Sequence, residues 1–361
     1  MTVKRISKNT RTTFITYGFV AAAFAVLQVL NSSGDLSPLL SGMLIPICAW
    51  VVMAISLNLT VGILGELSLG HAGFMSVGAF MGTTAAIALQ RSVESAPLRL
   101  AIAIVVGAVF AAIVGFLIGI PVLRLNGDYL AIVTLAFGEI IKSIFTNLYV
   151  GIDERGFHMS LLKDRTDLLP GGKLIIAGPM GIGGVERIST FIAGFVLIMI
   201  CLIVIFNLVN SRAGRAIMAL RDNRIAAESV GISVTKYKMM AFVTSAAMAG
   251  GAGALFALNY STVVANKFDF NNSILVLVFV VLGGLGNMLG SIIAAAALTI
   301  LPEALRQFAD YRMLVYAIVL ILVMLGTNNP QIKNAFATCF DWLKGVFRKQ
   351  SAKVSGERKE V

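Results

Sequence analysis

Apolar residues in this chain come in long, nearly uninterrupted runs, not in the short alternations of a water-soluble fold. Runs fall at 14–30, 39–61, 74–89, 98–120, 129–150, 190–208, 239–260, 274–282, 289–301 and 314–325. Several approach the roughly 20 residues that cross a hydrocarbon layer at about 1.5 Å per residue. The pattern predicts an all-α fold: a polytopic membrane helix bundle of about 8–10 spans, with glycine-rich broken helices and an exposed amphipathic segment. The shorter runs read as broken, re-entrant or lengthened by polar ends. Pro46 reads as a kink that neighbouring helices accommodate.

The polar stretches divide the chain. A basic tail covers 1–13, a transmembrane domain covers 14–326, and a second tail covers 327–361. Inside the transmembrane domain lie a long loop at 151–187 and a polar segment at 211–238. The apolar runs following the first argue for a retained span rather than a cleaved leader.

Composition agrees with the runs. Of 361 residues 58% are hydrophobic and 13% charged, and the mean hydropathy is +0.89. A soluble chain carries about 25% charged residues. The formal charge of +11 would suggest nucleic acid in a soluble protein, but here the basic residues are clustered. Lys4, Arg5, Lys8 and Arg11 mark the first tail; Arg212, Arg215, Arg221, Arg224, Lys236 and Lys238 mark the 211–238 segment; and Lys333, Lys344, Arg348, Lys349, Lys353, Arg358 and Lys359 mark the second tail. The 151–187 loop balances five basic residues with five acidic ones. With ten spans, the positive-inside rule puts both tails and the 211–238 segment in the cytoplasm and the balanced loop outside. No nucleic-acid partner is expected.

Catalytic chemistry is not visible. Cys48, Cys201 and Cys339 are far apart and, with only His71 and His158 besides, give neither a disulfide framework nor metal-ligand spacing. There is no HExxH, CxxC or serine elbow, and "GGVERIS" lacks the lysine and serine of a phosphate loop. The chain is therefore not expected to be an enzyme or to bind a cofactor. If it moves a solute, the energy comes from an ion gradient or another subunit.

Four regions carry candidate function. "GILGELSLGHAGFMSVGAF", residues 62–80, combines a high density of glycine with Glu66, Ser68 and His71. A helix broken here offers free N–H and C=O groups to a small zwitterion, whereas tight packing of small residues explains the same composition without a ligand. "GGLGNMLGS", residues 283–291, is a second glycine-rich interruption. Glu139 and Lys142 stand three apart on one helix face, either as a structural ion pair or lining a path.

The 211–238 segment is the fourth. Ile217, Leu220, Ile225 and Val230 alternate with Arg212, Arg215, Arg221, Arg224 and Glu228, which predicts a rough amphipathic helix with Arg224 and Glu228 on one face. Gly231 is a candidate C-cap. A basic helix lying on anionic membrane lipid would have a similar pattern.

"LRDNRIAAESVGISVTKYKMMAFVTSAAMAGGAGALFA" (220–257) closely resembles the coupling-loop region in membrane subunits of bacterial ABC importers for branched-chain amino acids. "NLTVGILGELSLGHAGFMSVGAF" (58–80), "LRLNGDYLAIVTLAFGEIIK" (123–142) and "VLGGLGNMLGSIIAAAAL" (281–298) resemble the same family, the LivM-type permease subunits, in the same order. The resemblance covers about residues 40–326. It implies a multi-pass chain of the bacterial plasma (inner) membrane with both termini cytoplasmic. It also implies a second related permease subunit, two ABC ATPase subunits that use ATP-Mg, and a periplasmic or lipid-anchored solute-binding protein delivering leucine, isoleucine or valine.

By the same resemblance Ala226, Ala227, Glu228 and Gly231 match the loop that docks on the ATPase. The wider importer pattern has glutamate before the two alanines, whereas Glu228 follows them here. Arg221, Arg224 and Glu228 are expected to carry the contact. On the solute path the candidates are Gly65, Ser68, Gly70, His71 and Gly73, then Gly283, Gly284 and Asn287, with Glu139 on a path-lining face. An importer of the same architecture for urea, short amides or other amino acids fits the same residues. An ion-coupled secondary carrier would need ionisable groups deep in the bundle, for which Glu139 is nearly the sole candidate.

Overall fold

A computed structural model describes residues 8–34, 37–125, 127–153, 156–161 and 173–304, together with Ile318 and Ile321. Two compact units divide the chain, Met1–Ile300 and Leu301–Val361. The second is described at 301–304, the end of a helix, and at Ile318 and Ile321, both helical and about half exposed. The rest of the 314–325 run and the 327–361 tail lie outside the described residues.

The helices are α1 (Lys8–Ser33), α2 (Pro38–Asn58), α3 (His71–Ala88), α4 (Ala96–Val122), α5 (Asp128–Asn147), α6 (Phe191–Asn210), α7 (Arg212–Asp222), α8 (Arg224–Ser229), α9 (Val234–Ala257), α10 (Phe270–Gly283) and α11 (Met288–Ala304). Among the described residues seven helical spans are long and apolar enough to cross a membrane, and α11 is a shorter apolar helix. α3, with 18 residues, is buried along most of its length. Starts are set by side-chain caps on orphan N–H groups. Ser37, Ser95, Thr190 and Asp269 each accept from the backbone two or three residues on, at the heads of α2, α4, α6 and α10. α2 runs on through Pro46.

Burial sorts the spans into layers. The window through Pro38–Leu64 is 83% buried and that through Val234–Ala257 is 72% buried, against 11–33% for the others. α2, α3 and α9 therefore form the centre, and α1, α4, α5, α6 and α10 surround them. Glycines let the central helices meet. A Cβ on Gly107 of α4 would lie 2.8 Å from the carbonyl oxygen of Gly78 in α3, and one on Gly250 of α9 would lie 2.5 Å from that of Gly107. Such close approach of small-residue faces is how helices pack where lipid removes the hydrophobic incentive. Outward-facing Val105, Val109, Ile113 and Phe116 of α4 are exposed, as a lipid-facing or subunit-facing stripe requires.

Ring contacts fix the direction of α1. Tyr17 meets Phe206 at 5.5 Å, and Phe24 lies 4.9 Å from Phe191 and stacks on Phe195 at 4.0 Å. α1 is thus antiparallel to α6, and its start lies at the same end of the bundle as α7. At the opposite end the 151–187 connection, expected as a loop, carries short strands. β1 (Tyr149–Asp153) pairs antiparallel with β2 (Gly156–Ser160) and with β3 (Lys173–Ala177), and β4 (Ile182–Gly183) pairs with β5 (Thr262–Val263). Strands this short leave little periodicity for a sequence reading to detect. Arg99, 5% exposed, joins the same end to α4 through Glu186 at 2.5 Å.

Candidate functional site

The apolar run of α2 does not end in a plain cap. Residues Leu59–Leu64 widen into a π-helical turn, Gly65 takes a left-handed φ of +81°, and non-helical backbone continues to Gly70, where α3 begins. Such widening leaves main-chain groups without helical partners, and away from water they need partners from the protein. Two are local: Glu66 N–H donates to the carbonyl of Thr60 at 3.1 Å, and Gly73 N–H to that of Gly70 at 3.0 Å.

Other helices supply the rest. Thr134 of α5 accepts from Leu69 N–H at 3.0 Å, and Ser273 of α10 accepts from Ala72 N–H at 3.1 Å. Ser245 of α9 donates to the carbonyl of Ser56 at 2.6 Å. Ser56 Oγ lies 2.8 Å from the carbonyl of Met53, to which it donates, and 2.8 Å from His71 Nε2. Asn58, fully buried, donates to Ser291 Oγ at 2.9 Å and accepts from Gly286 N–H at 2.8 Å. The junction at 56–73 is thereby tied to α5, α9, α10, α11 and the 284–287 turn.

Charge reaches the junction from one end. Lys238, at the base of α9, pairs with Glu66; their side chains are 4% and 14% exposed. Arg221, in the last turn of α7, donates to the carbonyl of Gly62 at 3.1 Å and also pairs with Asp222 at 3.0 Å. Its stem covers Gly65, where an added Cβ would sit 2.5 Å from Arg221 Cγ.

The segment carrying Arg221 is two helices. Asn223 breaks the expected single amphipathic helix by leaving helical geometry, at φ −156°, and caps α8 through Ala226 N–H. Ile217 and Leu220 are buried as the pattern predicted, but Ile225 and Val230 are 80% and 74% exposed, because the break turns α8 away from α7. Ala227 is buried against Leu220 and Val234, which locks α7, α8 and α9 together. Gly231, at φ +83°, closes α8, with Ile232 N–H reaching the carbonyl of Ala227 at 3.1 Å, a glycine-terminated C-cap. Ala226 and Glu228 are exposed, and Arg224 is half-buried.

Gly73 and Glu139 line one crevice of about 10 Å³ with Gly138, Asp269 and Ser273, room for about one water. Gly70 and Gly73 are packing positions: the former presses on Thr134, and a Cβ on the latter would lie 2.9 Å from Gly138 Cα. Gly70 and Gly73 thus follow the close-packing reading of the 62–80 stretch, and Gly65 breaks the helix with a left-handed φ. Ser68 is fully buried and its hydroxyl finds no partner among the described residues. Glu139 pairs with Lys142 at 2.7 Å, with side chains 40% and 25% exposed. Gly283, Gly284 and Asn287 lie apart from this crevice, in the turn between α10 and α11, and meet the junction through Asn58. Sequence reasoning missed Asn58, Thr134, Ser245, Ser273 and Ser291; their signal was a small polar residue within or at the edge of an apolar run.

The fold and junction define a multi-span membrane bundle organised around an interrupted helix. A family model described as the permease component of the branched-chain amino acid transport system matches residues 39–324. The chain belongs to that family. It is 35% identical over 306 residues, 79% of the chain and 69% of the relative, to the high-affinity branched-chain amino acid transport system permease protein LivM of Salmonella typhimurium, with the same figures for that of Escherichia coli. It is 25% identical over 273 residues, 67% of the chain and 74% of the relative, to a probable branched-chain amino acid transport permease protein LivM of Methanocaldococcus jannaschii. No solved structure gives a significant match.

Proposed function

We propose that this chain is the membrane permease subunit of an ATP-driven importer for leucine, isoleucine and valine. The observation that carries the reading is the family match over 39–324, which includes both the junction and the α7–α8 segment. In this reading a second related permease completes the path, two ABC ATPase subunits hydrolyse ATP-Mg, and an external binding protein delivers the solute. The exposed apolar face of α4 is available to lipid or to the second permease.

α7 and α8 are the coupling segment, on the cytoplasmic side. The start of α1 lies at the same end as this basic segment, in keeping with the positive-inside rule. Ile225, Ala226, Glu228 and Val230 offer an exposed surface to an ATPase cleft, with Arg224 beside them and Gly231 shaping the turn. Arg221, though 41% exposed, reaches into the bundle at the Gly62 carbonyl, so its part is to link the segment to the path. The 65–73 and 283–287 stretches are the broken-helix elements of that path. Ser68, with its buried free hydroxyl, and Glu139, at the crevice mouth, are the polar contacts for a solute once the crevice opens.

The test is uptake of labelled leucine by proteoliposomes holding the complete complex, ATP and the binding protein, with urea as competitor. ATP-dependent leucine uptake that urea leaves unchanged is expected. Uptake driven by an ion gradient without the ATPase would overturn the assignment.

A further inference from the structure

The π-helical turn and the residues after it are held from the cytoplasmic segment by two cations, one from each helix that flanks α8. Arg221 of α7 holds the Gly62 carbonyl, and Lys238 of α9 holds the Glu66 carboxylate. The helices carrying them are joined to α8 by the packing of Leu220, Ala227 and Val234. Asn58, one turn before Gly62, passes the connection to Gly286 and Ser291. A displacement of α8 therefore reaches both interrupted regions through a few short polar contacts.

The chemistry suits transmission more than stability. A helix terminus with free carbonyls attracts cations, and Arg221 meets that demand directly. A buried ion pair adds little net stability over a well-packed neutral pair, but separating its members or deleting one is costly. Such a pair resists relative movement of the two pieces it joins. Resting on the importer reading above, we propose that Arg221 and the Lys238–Glu66 pair form a two-point clamp by which the coupling segment moves the broken end of α2. They are positioning residues, and their loss would disconnect ATP hydrolysis from passage of solute.

The test is the number of leucine molecules imported per ATP hydrolysed by the complete complex with its binding protein in proteoliposomes. Single neutralisation leaves a buried charge unpaired and risks misfolding, so the main variant is the neutral pair, Glu66→Gln with Lys238→Met. Its permease-to-ATPase stoichiometry after purification is expected to equal that of the wild type, and its ATP hydrolysis to stay within about two-fold. Leucine imported per ATP should fall by about ten-fold or more, and Arg221→Ala added to it should lower the ratio further. The reversed pair, Glu66→Lys with Lys238→Glu, should regain most of the ratio. A neutral pair that keeps the wild-type ratio would overturn the clamp, as would equal losses of hydrolysis and uptake in an assembled complex that the reversed pair does not repair. Failure of the importer reading is separate: the wild-type complex itself would then show no ATP-driven leucine uptake.

Discussion

The two glycine-rich interruptions, 65–70 and 284–287, look alike in sequence and differ in setting. At the first, Ser68 and Gly70 are buried, and hydroxyls from α5 and α10 meet N–H groups beside it. At the second, Leu285, Gly286 and Asn287 are exposed, Gly284 and Gly286 have φ of +93° and +79°, and Asn58 provides the tie to the centre of the bundle. Backbone that leaves a helix inside protein must be satisfied by protein, whereas backbone at an exposed turn needs only the right dihedrals. The first interruption opens on its own exposed, left-handed Gly65 but is specified from Ser68 onward by its neighbours, whereas the second is specified by its own glycines.

The largest effect should come from filling the crowded interruption. A Cβ on Gly70 would collide with the Thr134 main chain, and backbone cannot give way as a side-chain tip would. Gly70→Val should abolish leucine uptake and cut the yield of assembled complex severalfold, measured by purification and transport. Gly284→Ala faces no such neighbour, since an added Cβ would lie 3.7 Å from Asn287 Cβ. Its cost is the positive-φ backbone alone, φ +93° with ψ +125°, about 1–3 kcal/mol. If Gly284→Ala proved as damaging as Gly70→Val, the contrast between the two regions would fail.

Asn58→Leu comes next, because Asn58 joins the regions. It leaves the buried Ser291 without its donor, at a cost of about 1–3 kcal/mol, and Gly286 N–H, in an exposed turn that water reaches, without its acceptor at a smaller cost. Thermal unfolding in detergent should fall by several degrees, with uptake reduced about ten-fold or more if the two regions move together. Thr134→Val is nearly isosteric and removes one acceptor, that of Leu69 N–H. It should cost about 1–2 kcal/mol, read as a smaller fall in the same transition.

Legibility in the sequence follows the same division. Runs of apolar residues located nine of the helices because length and hydropathy are local properties, as the starts of α2, α4 and α6 near the expected 39, 98 and 190 illustrate. Gly65, Gly284 and Gly231 were conspicuous because glycine at a left-handed position announces itself. The partners of the first interruption were not conspicuous: Thr134, Ser273 and Ser245 are ordinary residues until the fold brings them to one place from far along the chain. Lys238 was counted only as a cytoplasmic charge, because nothing in "KYK" says that one lysine turns inward and the other stays out. The expected face of the 211–231 helix failed at Asn223, a residue whose side chain competes for backbone groups and so ends one helix and starts another. That break exposes Ile225 and Val230.

The smallest effect should come from the exposed side of the second interruption. Asn287 accepts from Gly290 N–H at 3.2 Å and so caps the first turn of α11. Asn287→Ala removes that cap while water remains able to reach the exposed N–H, so the cost should be about 0.5–1 kcal/mol. The unfolding transition should move by a few degrees at most, and leucine uptake should stay within about two-fold of wild type. Asn58 is unchanged in this variant, and its hold on Gly286 and Ser291 keeps the turn in register with the central junction. A large loss of uptake at normal stability would instead make Asn287 a participant in solute passage, and the second region would then owe its importance to its side chains as well as to its glycines.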